Sequence, residues 1–204
     1  MSRLLVLLSA SVFLLLPLGA KAQMTVAGSP SPTAHALTAW FAQHIPAKFQ
    51  ARGAFEVRPL PDFDMDEYLH GGDLDDNSPN SNAQDSKDDD DEIDGVFVNN
   101  PPRIVLRVPE SGKLDFYTFA HEYGHYVWFD LLSKGDRKRY EDLYDKQKAA
   151  HKLITDYAAE SVEEGFAEAF AASVNAPATL LHQDPLSFRF LAAWPKLSER
   201  PKER

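Results

Sequence analysis

Apolar side chains recur along this chain with two different periods, and the switches between them mark out its elements. Leu37, Trp40, Phe41 and Ile45 share one face of a helix predicted over residues 34–47. Residues 54–60 read as a strand. Two more short strands, 95–98 and 103–108, flank a turn at Asn99, Asn100, Pro101 and Pro102, and Pro109 ends the second. A strongly apolar helix follows, in which Leu114, Phe116, Tyr117, Phe119 and Ala120 lead into Tyr123, Val127, Trp128 and Leu131 with no proline and one glycine. Beyond it lie a charged helix over about 136–152, an apolar helix built from Val162, Phe166, Ala167, Ala169, Phe170, Ala171 and Val174, and a last apolar helix over 188–194. Helices interspersed with a few short strands predict an α+β domain.

The first 22 residues stand apart. Arg3, the apolar run from Leu4 to Leu18 and the small-residue exit Ala20, Lys21, Ala22 read as a secretory signal peptide over residues 1–22, cleaved before Gln23. The run is too short and wrongly flanked for a permanent span, so the processed protein is expected to be secreted or periplasmic, with no stable membrane insertion. Residues 23–204 fit a single domain that can bury a core without staples. The chain has no cysteine, which excludes disulfides and thiolate metal sites.

Charge is uneven. Without residues 1–22 the chain carries 19 basic and 31 acidic residues, a balance of −12, and −9 of this falls between Gly71 and Asp94. That stretch is rich in Asp, Asn, Ser and Gly and almost free of apolar residues, and it reads as a disordered acidic insertion at about 71–94. An EF-hand frame placed on Gly95 puts Pro101 where the bidentate glutamate belongs, so that calcium motif fails. The acidic balance argues against nucleic acid as a partner.

The chemistry-bearing string is His121-Glu122-Tyr123-Gly124-His125. Residues four apart on a helix share a face about 5–6 Å apart, so His121 and His125 can converge on one Zn2+. Glu122 then flanks the open position of the metal. There it can take a proton from a zinc-activated water as general base and return it to the leaving amine. A catalytic site needs a third protein ligand. The HExxHxxGxxH pattern fails, because Trp128 and Leu131 occupy its glycine and histidine positions. A glutamate remains: Glu164 and Glu168 lie four apart on the apolar helix, where burial of unpartnered carboxylates would be costly. One of them can ligate the metal while the other accepts the second ring N–H of a ligand histidine.

HExxH, a tyrosine seven residues before a glutamate, and the run Glu164-Gly165-Phe166-Ala167-Glu168-Ala169-Phe170 together resemble the gluzincin metallopeptidases, most closely the family of the anthrax lethal factor catalytic domain. The similarity covers about residues 95–172. It implies a small zincin-like domain with a short mixed sheet, an HExxH helix and a second helix carrying the glutamate ligand. It further implies that His121, His125 and Glu164 bind one zinc, that Glu122 is the general base, that Glu168 stands behind a ligand histidine, and that Tyr157 donates to the oxyanion. Tyr140, Tyr144 and His151 are further polar groups able to reach such a site.

The expected function is an exported zinc metalloendopeptidase acting on a peptide or protein substrate. The alternative is an inactive zinc- or peptide-binding module of the cell envelope, and a third reading is hydrolysis of another amide such as a peptidoglycan stem. Residues 104–108 are expected to form the sheet edge bordering the cleft, where an extended peptide can add as another strand; the equal reading makes Arg103 and Arg107 ordinary guards of that edge.

Overall fold

The computed structural model describes residues 23–28, 31–50, 54–70 and 93–194. The proposed signal peptide and residues 71–92 of the acidic stretch lie outside them. The fold is α+β. A four-stranded sheet is built from β1 (Gln23–Val26), β2 (Ala54–Pro61), β3 (Gly95–Asn99) and β4 (Pro102–Val108). Its order is β1-β2-β4-β3, with β1, β2 and β4 parallel and β3 antiparallel to β4. The turn between β3 and β4 contains a cis Asn100–Pro101 bond.

This order corrects the expected edge. β4 lies inside the sheet, paired on one side with β2 and on the other with β3, so β1 and β3 are the edge strands among the described residues, and β3 is the one beside α3. Arg107 guards no edge. It is 8% exposed, and its guanidinium donates to the Ile93 carbonyl at 3.0 Å and to Asp66 at 2.9 Å. It thereby ties the approach to β3 to α2 (Asp62–His70), an acid-rich helix that the apolar period does not reveal.

One sheet face carries the main core. Against it pack α1 (Pro32–His44) and α3 (Phe116–Tyr126), joined by an aromatic cluster in which Phe41 meets Phe55 and Tyr123. The other face is covered by α2 through Met65 and Tyr68 against Val105. After α3 the chain widens into a π turn (Val127–Leu131), closed by the Leu132 N–H on the Val127 carbonyl at 2.9 Å. Arg137 caps this turn by donating to the carbonyls of Trp128, Phe129 and Leu132.

The remaining helices are α4 (Lys134–Ala149), α5 (Val162–Asn175), α6 (Pro177–Gln183) and α7 (Pro185–Ala193), with a 3-10 turn, Tyr157–Ala159, leading into α5. Helices α3 and α5 cross at close range. A Cβ added to Gly124 would stand 2.8 Å from the Ala167 Cα, so only glycine allows this approach. Gly124→Ala is therefore expected to cost about 1–3 kcal/mol by forcing the helices apart, read as a lowered denaturation midpoint with the far-UV signal of the native protein unchanged.

At the end of α4, His151 adopts φ 52°. The Lys152 N–H bonds the Gln147 carbonyl and the His151 N–H bonds the Lys148 carbonyl, so His151 occupies the left-handed position of a Schellman cap. An L side chain there costs about 1 kcal/mol that glycine avoids. His151→Gly should raise the melting temperature by about 2–4 °C, and an unchanged or lowered value would contradict the cap.

Candidate metal centre

The N-termini of both site helices are fixed by side-chain caps. Asp115 accepts from the Tyr117 N–H at 2.8 Å and starts α3. Ser161 accepts from the Glu164 N–H at 3.1 Å and starts α5. Glu164 thus falls in the first turn of α5, where the helix dipole favours its negative charge.

Where the helices cross, three ligand atoms meet. His121 Nε2 lies 3.2 Å from His125 Nε2, and Glu164 Oε2 lies 3.1 Å from the first and 3.4 Å from the second. His121, His125 and Glu164 form a group that could hold a metal ion. Glu164 Oε2 is buried and makes no hydrogen bond, even with both ring nitrogens so near. A hydrogen-bonded cluster leaves this unexplained, because a buried acceptor is normally paired. Atoms converging on a shared cation have that arrangement.

Glu168 stands behind His121. Its Oε1 accepts from His121 Nδ1 at 2.8 Å, which leaves Nε2 facing the centre. Its Oε2 accepts from the Tyr117 hydroxyl at 3.0 Å and from the Thr155 hydroxyl at 2.8 Å. Thr155 also accepts from the Ala158 N–H at 3.0 Å, and Lys148 donates to the Ala159 carbonyl at 2.7 Å, so the turn that carries Tyr157 is tied to the same carboxylate and to α4. His125 Nδ1 is buried and finds no partner among the described residues.

Glu122 projects from α3 beneath β3. It is 7% exposed, and the Phe97 backbone close to it favours its charged form. It lines a cleft of about 330 Å3 with Asp94, Gly95, Thr118, His121 and Tyr157. A second pocket of about 260 Å3 shares the walls Asp94 and Thr118 and extends toward Asp62 and Lys113. Tyr157 remains 48% exposed, with its ring 5.8 Å from that of His121 and Glu164 among the carboxylates that raise its pKa.

Burial dominates the electrostatics and the charged neighbours decide the outcome. Burial disfavours charge on His121, but Glu164, Glu168 and Glu122 around it outweigh this and hold its pKa up to about 10. Burial likewise opposes ionisation of Glu164 and Glu168, yet the imidazoles keep both carboxyls below the usual range, with Thr155 and Tyr117 assisting at Glu168. Glu122 is pushed up, first by burial and then by the charge of Glu164, against the opposing histidines. Tyr117 and Tyr157 are raised by burial and by the adjoining carboxylates, so both hydroxyls stay protonated donors. Three carboxylates around two imidazoles make a surplus of negative charge that suits the group to hold a cation.

All six residues expected at the site are brought together by the structure. Tyr140, Tyr144 and His151 are not among them: Tyr140 is buried and donates to the Gly165 carbonyl, Tyr144 packs against Gly165, and His151 caps α4. Tyr117 and Thr155 were missed, although Tyr117, one helical turn before His121, lies on the stripe of the two histidines. Comparison with protein-family models finds no match, and comparison with curated proteins finds none.

The two glutamates of α5 are expected to differ. Glu164→Ala removes one of three ligand atoms and should abolish stoichiometric metal retention after dialysis. Glu168→Ala leaves all three and should weaken metal affinity by about 10- to 100-fold, as measured by chelator competition; the reverse ranking would place the ligand one turn later.

Proposed function

We propose that this chain is a zinc-dependent peptidase of gluzincin type. The observation that carries the reading is the close convergence of His121 Nε2, His125 Nε2 and Glu164 Oε2, with separations of 3.1–3.4 Å, beside a carboxylate that lines an open cleft. Tetrahedral zinc with bonds of about 2.0–2.1 Å sets its ligands about 3.3 Å apart. Two imidazoles and one carboxylate also match the donor set of catalytic zinc, in which a fourth position is left to solvent or substrate.

When bound there, zinc supplies Lewis acidity, which makes water acidic near neutral pH and polarises an amide carbonyl. The protein supplies the rest. Glu122, buried under β3 close to Gly95, takes the proton of the attacking water and delivers it to the departing amine. Burial raises its proton affinity and suits it to both transfers. The Tyr157 hydroxyl, protonated and at the mouth of the cleft, donates to the developing oxyanion. Glu168 fixes the tautomer and orientation of His121. An extended peptide can align along the open side of β3, which replaces β4 as the bordering edge. The proposed site of action is outside the cytoplasm, following the leader-like residues 1–22.

Glu122→Gln fills the same space without shuttling protons. Turnover of library peptides should fall by at least about 100-fold, while the protein keeps one zinc and its melting temperature. A variant with undiminished activity would refute the mechanism. A zinc-loaded wild-type protein that binds peptides and cleaves none would favour the binding module.

A further inference from the structure

Gly95 opens β3, where glycine is disfavoured and no positive φ calls for it. A glycine inside a strand marks a close approach by something else. Here the approach is by α3. A Cβ on Gly95 would stand 2.7 Å from Thr118 Cγ2, 2.9 Å from Glu122 Cγ and 3.1 Å from Glu122 Oε1. Thr118 cannot turn away freely, because its hydroxyl donates to Asp115 Oδ2 at 3.0 Å, in the cap that starts α3. Nor can β3 lift without cost. The preceding Asp94 carbonyl accepts from the Arg107 N–H at 2.8 Å. The remaining freedom is in Glu122 itself.

We infer that Gly95 is a positioning residue: the missing side chain lets β3 close onto α3, so that the Glu122 carboxylate is seated between the strand and the metal-binding histidines. This rests on the peptidase reading for its catalytic meaning and on the geometry alone for the coupling between positions 95 and 122. Any larger side chain at position 95 displaces the Glu122 carboxylate without touching the three ligand atoms. The chemical step suffers, and metal binding does not.

The test is a double-mutant cycle on the zinc-loaded full chain, with Gly95→Ala in wild-type and in Glu122→Ala backgrounds. In the wild type Gly95→Ala should lower the melting temperature, and in the Glu122→Ala background, where the two Glu122 contacts are gone and the Thr118 contact remains, a measurable part of that loss should vanish. Zinc stoichiometry should stay at that of the wild type in both backgrounds. Equal losses in the two backgrounds would overturn the inference, as would failure of both Gly95→Ala proteins to fold; folding of the double variant alone would support it. In the otherwise wild-type protein kcat should drop by about 100-fold with KM little changed, and an unchanged kcat would also overturn the positioning role. Should wild-type protein cleave no peptide, the peptidase reading fails, while the melting cycle still decides whether Gly95 seats Glu122.

Discussion

The backbone contact between α3 and α5 at Gly124 and Ala167 is the constraint on which the site depends. His121 and His125 lie three residues before and one after Gly124, and Glu164 and Glu168 lie three before and one after Ala167. Residues in such positions share the contact stripe of a helix, so one close crossing presents two imidazoles to two carboxylates. Because a Cβ on Gly124 would meet the Ala167 Cα at 2.8 Å, the helices can approach far enough for the four side chains to touch. The alanines and phenylalanines of α5 fill the space around this point and exclude water from it.

The cost of that enclosure is electrostatic. Glu122 and Glu168 are buried, Glu164 is largely so, and both histidines are shielded from solvent. Isolated charges in such a place would be expelled or neutralised. Instead the carboxylates have distinct surroundings: Glu168 takes His121, Tyr117 and Thr155, Glu122 lies close to Gly95 of β3, and Glu164 faces both ring nitrogens without a hydrogen bond to its Oε2. The unpaired oxygen belongs to the residue best placed to ligate a cation. Second contacts then spread outward, because Thr155 links Glu168 to the turn bearing Tyr157 and β3 links Glu122 to the cleft wall.

Much of this was legible in the sequence because it is local. The helical period located the core of α1, α3 and α5, and the i, i+4 spacing of His121 with His125 and of Glu164 with Glu168 fixed which side chains share a face. Strand order was not legible, since pairing is non-local: residues 103–108 read as a strand, but nothing in them reports that β2 occupies the side away from β3. The acid-rich α2 escaped because its buried residues Met65 and Tyr68 make too short a stripe, and the four residues of β1 are defined by pairing with β2 alone. The end of the acidic stretch was read as disordered, yet Ile93 and Asp94 are bonded to Arg107 and line the cleft. Thr155 gave no signal at all, since its role depends on where α5 brings Glu168.

The most direct measurement is X-ray absorption at the zinc edge on protein purified from zinc-supplemented culture. One equivalent of zinc is expected, with two imidazole nitrogens and oxygen donors at about 2.0–2.1 Å, and the signal should disappear in the His121→Ala/His125→Ala protein. Substoichiometric metal, a shell without imidazole, or a spectrum that survives loss of both histidines would contradict the assignment.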